Sequence, residues 1–122
     1  MFEQMDKSEI EIKILEWFIQ KYSKTCLAEQ IEKADVVKRE YSGVGFFVHF
    51  KISTNVSALQ LGTDYMKDPI DGPIIVSKEL MAGAQAILFI KNGYIDMLEV
   101  YTFVDKFPKN LVEFELQDPR VS

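Results

Sequence analysis

The sequence predicts an α+β fold, in which an N-terminal helix and a short second helix pack on one face of a mainly antiparallel sheet of about five to six strands. Apolar residues recur at helical spacing near the start of the chain and alternate with polar residues further on. An Asn-Gly dipeptide between two strand-like runs indicates a hairpin. With 122 residues, 48% of them hydrophobic, we expect a single domain over residues 1–122.

The first helix is predicted from Ser8 to about Tyr22. Ser8 and Glu11 have the spacing of a capping box. The broad apolar face that follows predicts burial against the sheet, with Trp17 as an anchor. A second, shorter helix is predicted over residues 25–33, with Thr25 as its cap.

In the next part of the sequence, apolar and polar residues alternate, which is typical of strands. Residues 35–41 and 46–53 are predicted strands, and the second presents Phe46, Val48, Phe50 and Ile52 on one side only. The Ser42-Gly43-Val44-Gly45 segment between them supplies glycines for a tight or bulged connection. Residues 54–72 are predicted to form a long connection, and residues 73–77 a short strand.

The segment over residues 84–105 is the strongest structural signal. Asn92 and Gly93 suit a two-residue type I′ turn because both accept positive φ. Such a turn predicts three pairs: Ile90 with Ile95, Leu88 with Met97, and Ala86 with Glu99. A last strand is predicted over residues 112–116, with its glutamates facing water.

This register places Glu99 on an apolar face, together with Tyr101. A carboxylate buried there without a partner would be costly, and burial would raise its pKa, so Glu99 is a candidate binding or acid/base group. A bulge, or a position on the outer face of the sheet, would instead leave Glu99 in contact with water. Charged residues are seldom fully buried, which favours the second interpretation.

The other residues able to do chemistry lack partners in the sequence. His49 could titrate near neutrality, but no nucleophile elbow accompanies it, and Cys26 is predicted on a separate helix. A structural histidine and a packed cysteine are therefore the favoured interpretations. The glycines at 43 and 45 join two strands, whereas a nucleotide loop needs a strand followed by a helix. We expect no catalytic residues, no metal site and no cofactor.

Charge and composition limit the classes of molecule that the protein is expected to bind. A net charge of −5 and scattered basic residues disfavour binding to nucleic acid or to an anionic membrane, but suit a basic protein partner. The lone Cys26 cannot form an internal disulfide, and neither a secretory signal nor a membrane-spanning run is recognisable. We therefore expect a cytoplasmic protein. An apolar patch formed by Phe47, Phe89 and Leu98 opposite the helices would indicate association.

Two segments resemble other proteins: REYSGVGFFVHFKI (Arg39 to Ile52) and GAQAILFIKNGYIDMLEVYTF (Gly83 to Phe103), followed by Phe107-Pro108. Over about residues 39–108 the chain is similar to a group of small bacterial proteins of uncharacterised function. The resemblance implies a single α+β domain of bacterial origin. It implies no activity and no site.

Two functional classes remain open. The first is a noncatalytic protein-binding module, such as an immunity or inhibitor protein, whose partner is another protein or a second copy of the chain. It would bind through the outer face of the sheet or the loop over residues 54–72. The second is a small-molecule-binding domain or small hydrolase with a site around Glu99, Tyr101 and His49. A closed pocket around these three residues would favour the second class, and a flat acidic or apolar surface the first.

Overall fold

The computed structural model describes residues 6–22, 26–53, 55–59 and 68–119. These residues form two helices and six strands, and they confirm the predicted α+β class. The elements are α1 (Glu9–Lys21), α2 (Leu27–Lys33), β1 (Ala34–Tyr41), β2 (Gly45–Ile52), β3 (Ile70–Val76), β4 (Ala84–Lys91), β5 (Tyr94–Thr102) and β6 (Glu115–Gln117).

The strands form one sheet in the order β1-β2-β5-β4-β3-β6, and each neighbouring pair is antiparallel. Buried side chains of both helices share one hydrophobic core with every second residue of the central strands. Val48, Leu88 and Leu98, for example, are fully buried beneath the helices. Neither described helix lies on the opposite face, which we call the outer face.

The start of α1 follows the sequence prediction. Ser8 Oγ accepts from the backbone N–H of Glu11, and Glu11 Oε1 accepts from the backbone N–H of Ser8, which completes the capping box. Further along, Phe18 is fully buried against the backbone at Gly72. Trp17 is half-buried, and its Nε1 donates to Asp118 Oδ1 at 3.0 Å. Trp17 thus ties α1 to the segment after β6, while Phe18 provides the deeper contact with the sheet.

A buried ion pair joins α1 to the edge strand β1. Arg39 Nε and Nη2 donate to the two carboxylate oxygens of Glu11 at 2.8 and 2.7 Å. A register shift between Val36 and Lys38 places Arg39 opposite Val48, on the helix-covered face. The hydrogen bonds that Arg39 donates to the Glu11 carboxylate raise the pKa of Arg39 above its ordinary value. The capping-box spacing predicts the role of Glu11 at the start of α1 but does not reveal a partner 28 residues away.

The second helix is shorter than predicted. It begins at Leu27 with Cys26 at its N-cap, where no side chain makes a capping hydrogen bond. Thr25, the expected cap, lies outside the described residues. Gln30 is completely buried, and its Nε2 donates to the carbonyl oxygens of Ser57 and Gly93 at 2.9 and 3.0 Å. The helix is therefore fastened to the turn between β4 and β5.

The hairpin confirms the predicted turn but not all of its register. Asn92 and Gly93 have φ of 54° and 86°, and the pairs Lys91–Tyr94 and Ile90–Ile95 are formed. Beyond them, Asp96 is an extra residue in β5, so that the next pair is Phe89 with Met97.

The predicted pairs of Leu88 with Met97 and of Ala86 with Glu99 are wrong. Leu88 pairs with Leu98, and Ala86 with Val100. The bulge moves Leu98 and Val100 into the core and Glu99 out of it. It thereby avoids the large cost of burying a carboxylate without a partner.

The remaining strand boundaries differ by a few residues. β3 begins at Ile70 rather than at Pro73, and β6 begins at Glu115 rather than at residue 112. Much of the predicted long connection, namely residue 54 and residues 60–67, lies outside the described residues. Its end is fixed by Asp68, whose Oδ1 accepts from the backbone N–H of Ile90 at 3.0 Å.

Candidate functional site

The centre of the outer face carries a mixed apolar and polar surface. Its side chains come from β2, β5 and β4, and each is half-buried. They are Phe47, His49, Met97, Glu99, Tyr101, Gln85, Ile87 and Phe89. The three residues singled out in the sequence, Glu99, Tyr101 and His49, thus lie on one face of the sheet, the face on which neither described helix packs.

Glu99 occupies the middle of this surface. Across the strands it lies between Phe47 of β2 and Ile87 of β4. Along β5, Met97 and Tyr101 precede and follow it on the same side, since side chains two positions apart share a face. Within the described residues, Glu99 makes no hydrogen bond and no ion pair. A half-buried carboxylate is therefore surrounded by four apolar or aromatic side chains.

The pKa of Tyr101 depends on burial and on nearby charges. Its hydroxyl donates to Gln85 Oε1 at 3.2 Å, and its ring meets that of Phe103 edge to face at 5.8 Å. Burial raises the pKa of Tyr101, and the negative charges of Glu99 and Asp71 raise it further. Both carboxylates therefore act on the phenol.

His49 is engaged with a neighbour on β1. Its Nε2 lies 2.7 Å from Glu40 Oε1, and Lys38 Nζ lies 3.6 Å from the same oxygen. The hydrogen bond with His49, and then the charge of Lys38, lower the pKa of Glu40. His49 pairs with Met97, so it is a diagonal neighbour of Glu99, at the roughly 7–8 Å typical of such positions. The imidazole is closer to Glu40 than to the candidate centre.

A transverse row across five strands alternates acidic and apolar residues. The strand register aligns Glu40, Phe47, Glu99, Ile87 and Asp71 from β1 to β3. With neighbouring strands about 4.8 Å apart, successive carboxylates of the row are about 10 Å apart. The outer face therefore presents separated negative charges on an apolar background.

Cavities elsewhere in the protein do not involve these residues. One, of about 600 Å³, lies between the first turns of α1 and the segment leading into β6, where Lys13, Lys78 and Phe114 contribute to its walls. Another, of about 400 Å³, lies beside the hairpin turn, between Ile52 and Tyr94. Neither is lined by Glu99, Tyr101 or His49.

The predicted outer patch is partly correct. Phe47 and Phe89 lie on the outer face, whereas Leu98 is fully buried beneath the helices, so its assignment to the patch is wrong. The bulge at Asp96 is the cause, because it reverses the direction of each later side chain of β5. Glu99 occupies the place expected for Leu98, opposite Ile87, and Met97 lies opposite Phe89.

Sequence reasoning missed a group of exposed apolar residues at one end of the sheet. Val44, Met81, Phe103 and Val104 are 52%, 80%, 46% and 66% exposed. Backbone hydrogen bonds hold their loops together: Thr102 donates to Val44, and Phe103 donates to Gly83. For Val44 the available signal was an apolar side chain within the predicted connection between two strands, where polar residues are usual. Through the contact of Phe103 with Tyr101, this group adjoins the outer face.

The described residues offer no nucleophile beside a base. The Cys26 thiol donates to the carbonyl oxygens of Ser57 and Ala58, at 3.2 and 3.4 Å, whereas His49 lies on the outer face. In the same part of the chain, no group of three or more His, Cys, Asp or Glu side chains is arranged to hold a metal ion. None of the described helices is long and apolar enough to cross a membrane.

Comparison with known proteins gave no match: no family model, no curated protein and no solved structure is significantly similar to this chain. The resemblance of residues 39–108 to small bacterial proteins stays a prediction.

Proposed function

We propose that the protein is a noncatalytic binding module that docks another protein on the outer face of its sheet. The observation that carries this proposal is the apolar surface around Glu99, which neither of the two described helices covers. Phe47, Ile87 and Met97 are contiguous there, on the side opposite both described helices. A contiguous apolar patch with a polar rim is typical of a protein interaction site.

The composition of the surface also supports a protein partner. Aromatic residues and methionine are enriched at protein interfaces, and the outer face carries Phe47, Phe89, Met97 and Tyr101. These side chains lie on regular strands, so their positions are set before binding. A rigid, preformed surface loses little conformational entropy when a partner docks.

The charge of the protein favours a basic partner. The net charge is −5, and Glu40, Glu99 and Asp71 lie in one row of the outer face. Complementary charge accelerates encounter and disfavours wrong partners. Small acidic modules that neutralise a basic toxin or enzyme fit this description, and the immunity or inhibitor type is our specific proposal.

The alternative, a small-molecule site or hydrolase around Glu99, Tyr101 and His49, receives less support. Such a site would use these groups together within a cavity. Instead, His49 contacts Glu40, and the Tyr101 hydroxyl donates to Gln85. The three residues line neither cavity described above.

We also propose a cytoplasmic setting, without nucleic acid or membrane as a partner. Cys26 is the sole cysteine and donates to backbone carbonyls, so the fold uses no internal disulfide and suits a reducing compartment. Association with nucleic acid or with anionic lipid needs clustered cations. On the outer face, Lys38 already lies beside Glu40.

The proposal can be tested by capture from lysate of the source organism, with three immobilised forms of the protein. These are the wild type, the outer-face double variant Phe47→Ser/Ile87→Ser, and Met81→Ser at the exposed end of the sheet. Thermal melting first verifies that each form is folded. We expect the wild type and Met81→Ser to retain the same protein, and the double variant to lose it. If all three forms retained the same protein equally, the outer face would not be its docking site.

A further inference from the structure

We infer that the partner places an arginine side chain on Glu99, at the centre of the outer face. This inference rests on the proposed function and specifies the chemistry of its contact. It depends on the position of one carboxylate and on the four side chains around it.

Glu99 needs a donor once the surface is covered. Within the described residues it has no hydrogen-bond or ion-pair partner, and it is already half-buried between Phe47 and Ile87. A partner that docks on these side chains removes the remaining water, and a buried carboxylate without a partner is strongly unfavourable. The partner must therefore supply the missing donor at this point.

The surroundings favour arginine over lysine. A guanidinium group is planar, is weakly hydrated and stacks on aromatic rings, and it can bind a carboxylate through two parallel hydrogen bonds. Phe47 and Tyr101 supply aromatic rings on two sides of Glu99. An ammonium group would lose a stronger hydration shell on the same surface. Arginine is also among the residues that contribute most to binding at the centres of interfaces.

A second copy of the chain fits this surface less well. Pairing of two outer faces about a two-fold axis at Glu99 would bring this carboxylate against its own copy. Like charges brought together at an interface are costly. A cationic partner satisfies the carboxylates that self-association would oppose.

The inference can be tested with three small probes that share an ethyl group: ethylguanidinium, ethylammonium and ethylurea. Each is titrated at constant ionic strength into protein labelled for NMR, and shifts are followed at the Glu99 side-chain carboxyl carbon and at the methyl groups of Ile87 and Met97. We expect saturable shifts for ethylguanidinium, weaker shifts for ethylammonium and none for ethylurea. In Glu99→Gln the affinity for ethylguanidinium should fall by about 1.5- to 5-fold, the range of an exposed ion pair.

Glu115→Gln is the matched control, because Glu115 is an exposed strand carboxylate on β6. It should leave the shifts at Ile87 and Met97 unchanged. Equal binding of ethylguanidinium and ethylurea, or equal binding to wild type and Glu99→Gln, would overturn the inference. Sedimentation supplies another adverse outcome: dimerisation of the wild type that is lost in Phe47→Ser/Ile87→Ser would identify a second copy as the occupant.

The two proposals fail in different ways. Loss of the ethylguanidinium preference, with partner capture still dependent on Phe47 and Ile87, would remove only the arginine contact. Equal capture of the partner by the wild type and by Phe47→Ser/Ile87→Ser would instead contradict the proposed function. A preference for ethylguanidinium at Glu99 would remain in that case as a local property of the carboxylate.

Discussion

Gln30 Oε1 in α2 accepts a hydrogen bond from the backbone N–H of Ile95 in β5 at 2.9 Å, although the two residues are 65 positions apart in the sequence. β2 pairs with β5 only as far as Met97, so this N–H has no partner on β2. The same side chain donates to the carbonyl oxygens of Gly93 and Ser57. One buried amide therefore satisfies backbone groups of the hairpin and of residues 55–59.

Gln30→Ala is expected to lower the free energy of unfolding by about 1–3 kcal/mol, because it leaves the Ile95 N–H buried without an acceptor. Chemical denaturation measures the change. Gln20→Ala, on the exposed side of α1, is the control and should stay within about 0.5 kcal/mol of wild type. If the two variants were equally stable, the Gln30 contacts would carry no net stability.

Arg39→Met is expected to destabilise the protein by about 3 kcal/mol, since removal of one partner leaves the other charge buried. The Glu11 side chain is only 3% exposed. Adding Glu11→Gln to Arg39→Met should recover part of the loss, because the neutral amide can still accept from the Ser8 N–H. Lys38→Met, at an exposed position of β1, is the control. If the double variant were less stable than Arg39→Met, the buried charge of Glu11 would not be the cause of the destabilisation.

Gly45→Ala is expected to cost at least about 3 kcal/mol, because the added methyl group would lie 1.8 Å from the carbonyl oxygen of Val100 and β2 would have to move away from β5. Gly43 provides the comparison. It has φ of 84° with open space around it, so Gly43→Ala should cost about 1–2 kcal/mol through backbone strain alone. Similar losses in thermal melting would contradict the close approach at Gly45.

Glu99→Gln is expected to lower the pKa of Tyr101 towards its ordinary value, although burial keeps part of the increase. A negative charge disfavours the phenolate, so its removal eases ionisation. Because the pKa of Tyr101 is higher in the folded than in the unfolded state, its contribution to stability is present at neutral pH. That contribution is lost as the pH rises through the folded-state pKa. Titration of the phenol by NMR measures the change, with Glu115→Gln as the control. An unchanged Tyr101 would place Glu99 too far away to act on it.

Local sequence signals predicted the local structure well. The capping box at Ser8, the turn at Asn92 and the alternation in β2 each depend on neighbouring residues, and the structure confirms them. They also sufficed to predict the α+β class and to select Glu99 as an unusual position.

The details of the candidate site depended on contacts distant in sequence. The bulge at Asp96 is decided by which side chains of β5 enter the core, and a two-residue turn alone cannot specify this. Alternation counted from the turn alone therefore gives the wrong face for Glu99 and Leu98, whereas the favoured interpretation for Glu99, a bulge or an outer-face position, agrees with the structure. Gln30 is a comparable case, since a single glutamine in a helical pattern reveals nothing of acceptors and donors on other elements.

The docking of a partner on the outer face is tested most directly by oxidative footprinting of the protein in its native cells and in purified form. We predict that Phe47 and Met97 are oxidised less in cells than in the purified protein. Met81, which is 80% exposed at the end of the sheet, should be oxidised equally in both and serves as the internal reference. Phe47 and Met97 modified to the same extent, relative to Met81, in cells and in isolation would contradict a docked outer face.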